Sequence, residues 1–86
     1  MANYIILYTK TAVKDIEKLD NVSKKRLKKK LEEYIKDPLT HAKRLTDAKI
    51  GSFRWRIGNY RVIFDIDGQN IVVLRVGHRR EIYRNP

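Results

Sequence analysis

Three arginines, Arg54, Arg56 and Arg61, stand around the dipeptide Gly58-Asn59 in the stretch FRWRIGNYRVIFDI. A Gly-Asn pair between two runs rich in β-formers predicts a two-residue hairpin loop, and such a loop fixes the register. Ile57 then faces Tyr60, Arg56 faces Arg61, Trp55 faces Val62, Arg54 faces Ile63 and Phe53 faces Phe64. Alternation puts Phe53, Trp55, Ile57, Tyr60, Val62, Phe64 and Ile66 on one face, which is core, and Arg54, Arg56, Arg61, Ile63 and Asp65 on the other. Arginines directly opposite one another repel. At about 4 Å the repulsion is about 1 kcal/mol in bulk water and about 4 kcal/mol near a protein surface. A face that needed only solubility could use Thr, Ser or Lys/Glu pairs. Guanidinium forks converging on a rigid hairpin suit a multiply charged anion, phosphate first. The competing explanation is a solvated face on an already basic protein. The mid-hairpin position of the arginines among apolar neighbours favours the anion site, and Arg61, pointing away from the core, is expected to be replaceable without loss of the fold.

The elements that must hold this hairpin follow from the rest of the chain. A second tight turn at Asp67-Gly68 leads to a last strand, Asn70 to Gly77, with Ile71, Val73 and Arg75 on one side and Val72, Leu74 and Val76 on the other, so that it reads as a central strand. Gly77 ends it and releases the polar tail His78-Arg79-Arg80-Glu81-Ile82-Tyr83-Arg84-Asn85-Pro86. At the other end, Asn3 to Tyr8 is nearly continuous in apolar character and predicts a short strand inside the sheet, buried on both faces. Thr9 or Thr11 can cap a first helix running to about Leu19, with Ala12, Val13, Ile16 and Leu19 on its inner stripe. Asp20-Asn21 makes a turn, and Ser23 can cap a second helix that stops at Asp37 before Pro38, with Leu27, Leu31, Tyr34 and Ile35 inward. The run Lys24-Lys25-Arg26-Leu27-Lys28-Lys29-Lys30 fans its cations over the exposed side of that helix and reads as a solvated face that steers polyanions. Leu39 to Ile50 has no clean period. His41 reads as a surface residue with no assigned role, and Lys43 and Arg44 add to the basic field. The whole is one α+β domain, residues 1–86, in the order β-α-α-β-β-β.

Composition narrows the function. Eighty-six residues with 42% hydrophobic content bound the chain to a single core. There are no cysteines and only two histidines, far apart in sequence, which removes disulfides, thiolate zinc sites and cysteine nucleophiles and leaves no expected metal or cofactor. Tyr4 to Tyr8 is too short for a signal-peptide core or a membrane span, so a cytoplasmic protein with no membrane partner is expected. The net charge of +10 attracts polyanions, nucleic acid first.

The β-α-α-β-β-β order, the hairpin FRWRIGNYRVIFDI and the following VGHRREIY together resemble the RelE/ParE superfamily of bacterial and archaeal toxins, over essentially the whole chain. The resemblance implies two N-terminal helices packed on an antiparallel sheet of about four strands. RelE-like members cut mRNA in the ribosomal A site, whereas ParE-like members poison DNA gyrase and lack the nuclease residues. In the RelE pattern two basic residues alternate before the hairpin turn, an arginine follows the turn, another follows the glycine after the last strand, and a tyrosine lies near the C-terminus. Here these are Arg54 and Arg56, then Arg61, Arg79 and Tyr83.

The implied chemistry is attack of an RNA 2′-hydroxyl on the adjacent phosphate, leaving a 2′,3′-cyclic phosphate and a 5′-hydroxyl without a metal. Arg61 and Arg79 would stabilise the phosphorane, Arg54, Arg56 and Arg80 would bind substrate, and Tyr83 would stack on a base or move a proton. Relatives often carry lysine where this chain has Arg54 and Arg56, and arginine practically cannot exchange a proton. That directs acid/base duty to His78, beside the cluster, where flanking arginines would favour the neutral ring. The chain also stops three residues past Tyr83, without the C-terminal helix of some relatives. The expected partners are ribosome-bound mRNA with the ribosomal RNA of the A site, and an antitoxin whose acidic segment covers the basic surface. A gyrase inhibitor is the alternative, and an RNA-binding protein without toxicity a third.

Overall fold

The computed structural model describes residues 3–46 and 50–82. In chain order they form β1 (Ile5–Tyr8), α1 (Lys10–Glu17), α2 (Asn21–Tyr34), β2 (Ala42–Arg44), β3 (Phe53–Ile57), β4 (Tyr60–Asp67) and β5 (Asn70–His78). The expected order holds, with one short strand, β2, added in the segment that has no sequence period. The five strands make one sheet in the order β1-β5-β4-β3-β2. It is mixed and not purely antiparallel, because β1 runs parallel to β5. Among the described residues no helix is long and apolar enough to cross a membrane.

The β3–β4 hairpin has the register that Gly58-Asn59 dictates, pair for pair from Ile57–Tyr60 to Phe53–Phe64. Gly58 carries φ +59° and Asn59 a negative φ, the type II′ pattern that favours glycine at the first loop position. The second loop is Gly68-Gln69, one residue later than Asp67-Gly68, since Asp67 pairs with Asn70 and the positive φ again falls on the first loop residue, Gly68.

Both helices cover one face. Trp55, Ile57, Val62, Phe64, Ile71, Val73 and Val76 form a single buried cluster with Ala12 of α1 and Leu27 and Leu31 of α2. Trp55 lies 4.0 Å from Phe64 between ring centroids, and its indole N–H donates to the Pro38 carbonyl at 3.0 Å. Thr9 caps α1, its hydroxyl oxygen accepting from the Ala12 N–H at 3.1 Å and donating to the Leu74 carbonyl at 3.1 Å. The N-cap of α2 is Asp20 and not Ser23. The Ser23 hydroxyl holds the Asp20 carboxyl below the usual carboxylate range. On α2 the cations Lys25, Arg26, Lys28 and Lys29 are exposed, as a helix with Leu27 and Leu31 inward requires.

Two departures reshape the sheet. First, β1 is an edge strand: Ile5, Leu7 and Tyr8 are 56%, 45% and 44% exposed. An apolar run signals strand propensity, but only the pairing partners decide whether both faces are covered. Second, β5 is bulged. Ile63 pairs with Arg75 while Phe64 pairs with Val73, leaving Leu74 as the extra residue. A one-residue bulge moves every later side chain to the opposite face. Val76 therefore joins Ile71 and Val73 in the core instead of siding with Val72 and Leu74.

Candidate functional site

The face away from the helices is built in rows. Lys43 of β2 lies opposite Arg54, which lies opposite Ile63. In the next row Arg56 is opposite Arg61, and Arg61 is opposite Gly77. Directly opposite residues on one face have Cβ atoms about 5 Å apart, so Lys43, Arg54, Arg56 and Arg61 form one continuous basic surface across three strands.

Both ends of that surface are covered. At one end the connection into β3 folds over it. The Ser52 N–H donates to an Asp65 carboxylate oxygen at 2.8 Å, and an atom added as Cβ at Gly51 would lie 2.4 Å from Ile63 Cγ2. With φ +148° as well, only glycine fits there. At the other end the chain after β5 turns back. The N–H groups of Glu81 and Ile82 both donate to the His78 carbonyl, at 2.9 and 3.0 Å. Ile82, buried, lies against Gly77, where an added Cβ would sit 3.4 Å from its own. Ile63 and Ile82 are the buried apolar residues that stand outside the helix-side core among the described residues. Between these two covers runs a trough floored by the arginines.

Arg61 is only 6% exposed, and one guanidinium nitrogen donates to the Tyr60 carbonyl at 3.2 Å. It points away from the core, as the register requires, yet it is not a surface residue. Its burial means that replacing Arg61 disturbs packing as well as charge. Arg54 is half-buried, while Arg56, Arg79 and Arg80 are exposed. The Arg79 N–H donates to the Asn59 carbonyl at 2.8 Å, which ties the segment after β5 to the hairpin loop at the Arg56–Arg61 end of the trough.

His78 is not brought to the arginines. It pairs with Tyr60, a helix-side residue, and its ring meets Tyr60 edge to face at 6.0 Å. It faces a depression lined also by Asp15, Lys18, Arg75 and Glu81. The bulge at Leu74 is the reason, because without it alternation carries position 78 to the arginine side. Its Nδ1 accepts from the Arg80 N–H at 3.2 Å, which in the neutral ring leaves the proton on Nε2. Tyr83 lies outside the described residues.

Two residues at the trough were not assigned to it from the sequence. His41 and Lys43 line, with Arg54 and Arg56, an open cavity of about 250 Å³. The signal was present as spacing: His41 and Lys43 are two apart, as are Arg54 and Arg56, and on paired strands two such steps align. It was unreadable until β2 was known to be a strand. Arg44, by contrast, turns to the other face and lies 5.7 Å over the Phe53 ring.

Residues 6–83 match the family described as the ParE toxin of type II toxin-antitoxin systems. The chain is 34% identical over 82 residues to the toxin RelE3 of Methanocaldococcus jannaschii, covering 91% of this chain and 93% of that one. It is 33% identical over 84 residues to the toxin RelG of Mycobacterium tuberculosis, covering 94% and 97%. Its fold is similar to a chain in the crystal structure of the RelBE2 toxin-antitoxin complex from Mycobacterium tuberculosis, with a TM-score of 0.80 and 31% identity over 90% of this chain and 99% of that one. A RelE-like sequence over nearly its full length, on a RelE-like fold, makes this chain a member of that family and a toxin of a type II toxin-antitoxin system.

Proposed function

We propose that the protein is a metal-independent endoribonuclease that cuts mRNA in the ribosomal A site and is restrained by a cognate antitoxin. The observation that carries this reading is the cross-strand pair Arg56–Arg61, flanked by Arg54 and Lys43 on one face. Like charges in that register oppose folding, and a bound phosphate reverses the sign of the interaction.

In this scheme the 2′-oxygen bonds to phosphorus as the P–O5′ bond breaks. The 2′-proton passes to solvent water, and the departing 5′-oxygen takes a proton from Tyr83 or from solvent to become a hydroxyl. Arg61, held in place by burial and by its bond to the Tyr60 carbonyl, meets the phosphorane charge as a preorganised donor. Arg79, whose N–H is bonded to the Asn59 carbonyl of the hairpin loop, would join it, and Arg54, Arg56 and Arg80 hold the flanking backbone. A substrate that must carry its own 2′-hydroxyl nucleophile is RNA and not DNA. Tyr83 is the proposed stacking or proton-transfer residue. His78 has no part in the scheme, since its ring lies on the helix side with Tyr60.

The antitoxin would cover what the toxin leaves open: the basic trough, and the exposed apolar residues Ile5, Leu7, Tyr8 and Val13 at the opposite, β1 edge of the sheet. A +10 surface suits a partner with an acidic segment.

The test is primer extension on a defined mRNA, with and without ribosomes holding an empty A site, comparing wild type, Arg61→Ala and the exposed-site variant Arg56→Ala. Ribosome-dependent cuts that both variants lose support the reading. A second reading, a gyrase inhibitor, is favoured by the ParE description of the matching family. Growth arrest without mRNA cleavage, together with blocked supercoiling by purified gyrase, would select it.

A further inference from the structure

The cavity at the open edge of the trough has a composition that the arginine chemistry does not require. Its walls are Arg54 and Arg56 of β3, Lys43 of β2 and His41 just before β2. The cations suit phosphate; the imidazole is a flat ring among them. That ring has an aromatic partner. It stacks on Tyr34 with centroids 4.3 Å apart and planes 16° from parallel. Tyr34 in turn lies 5.8 Å from Trp55, and Trp55 packs on Phe64 at the centre of the core. A column of rings thus runs from the interior to an exposed edge and ends beside three cations. The loop carrying His41 is tied by the Thr40 hydroxyl donating to Asp37 and by the Ala42 N–H donating to the Leu39 carbonyl at 3.3 Å.

Aromatic platforms next to cations that track a phosphate backbone are how proteins hold single-stranded nucleic acid, because every base offers a π-face whatever its sequence. We propose that His41, Lys43, Arg54 and Arg56 form a subsite for the nucleotide flanking the cleaved bond, the cations holding its phosphate and the Tyr34-backed His41 ring stacking on its base. The subsite rests on the ribonuclease reading for its place beside Arg61, and it adds contacts that this reading does not need.

The probe is a single-stranded hexaribonucleotide with every 2′-oxygen methylated, which binds but cannot be cut by 2′-hydroxyl attack. Affinity for the intact protein is measured by fluorescence anisotropy across a salt series. Melting temperatures check that each variant is folded, as expected for exposed positions. His41→Ala weakens binding by about five- to 150-fold, the range for loss of one stacked base, and His41→Phe restores most of it. Lys43→Ala lowers the slope of log affinity against log salt by about one, more than Lys29→Ala, which removes the same charge from the exposed side of α2. Wild-type affinity in both His41 variants, or equal slopes for the Lys43 and Lys29 variants, overturns the subsite. The two readings fail separately. If the wild type cuts no ribosomal mRNA yet shows the His41 and Lys43 signature, the four residues stand as a binding site for single-stranded RNA and the ribonuclease reading falls. If mRNA is cut while the His41 variants bind like wild type, the reverse holds.

Discussion

The two faces of the β3–β4 hairpin are made by alternate residues of the same strands, and they obey opposite rules. On the helix side, Trp55 against Val62 and Phe53 against Phe64 each add apolar contact, and the stacking of Trp55 on Phe64 strengthens burial with specific ring geometry. On the other side, the intervening rows set Lys43 beside Arg54 and Arg56 beside Arg61, where each neighbour raises the electrostatic cost of the next. The first face makes the hairpin rigid. The second uses that rigidity, because cations that cannot drift apart are already arranged for a polyanion before it arrives.

The sharpest way to break this contrast is to remove the anchor of the first face. Trp55→Ala should destabilise the domain by about 3 to 5 kcal/mol, read as a lowered denaturant midpoint. Unchanged melting would mean that the helix-side cluster does not carry the fold. On the second face, Arg61→Ala should slow cleavage by about 10² to 10³-fold, as loss of a preorganised donor does. Because Arg61 is buried and paired with Gly77 inside the sheet, its replacement should also lower the melting temperature. Normal cleavage from a folded Arg61→Ala protein would remove the trough from the mechanism.

How much of this was legible depends on how local the signal was. The Gly58-Asn59 loop carries its own geometry, so the β3–β4 register and both face assignments follow from a dozen residues. The helices were legible in their buried stripes except at Val13, expected inward on α1 but exposed, and the cap of α2 moved from Ser23 to Asp20. What the sequence could not show depends on partners distant in the chain. β2 is three residues long and exists only because β3 is beside it. The exposure of β1 follows from its place at the sheet edge. The bulge at Leu74, invisible in an apolar run, sends His78 to the helix side. The same distance effect hid the burial of Arg61 and the arrival of His41 next to Arg56.

A smaller effect tests what fixes the edge of the sheet. Beyond the end of β1, the edge of β5 is held by Asp15 of α1. Its carboxylate accepts from Arg75 Nε at 2.8 Å and from the Val76 N–H at 3.0 Å. Bonds to a charged, largely covered group are worth about 1.5 to 3 kcal/mol. Asp15→Ala should therefore lower stability by about 2 kcal/mol, and hydrogen exchange at the Val76 amide should quicken more than at Val62, in mid-sheet. Equal change at both amides would mean the loss is global and Asp15 is not a local clamp.

The smallest change is the most informative about why the second face exists. Arg56 is exposed and directly opposite Arg61, so replacing it with threonine, a good strand former without charge, removes a like-charge pair and little packing. If the trough is kept for binding at the expense of stability, Arg56→Thr should raise stability by a few tenths to about 1 kcal/mol at low salt, the gain should shrink as salt screens the pair, and RNA affinity and cleavage should fall in the same protein. Each arm matters. A loss of stability would show Arg56 to be a structural part of the sheet, and a gain with undiminished cleavage would show the repulsion to be an accident of composition. Only a gain in folding coupled to a loss in function makes the crowding of arginines a consequence of what they bind.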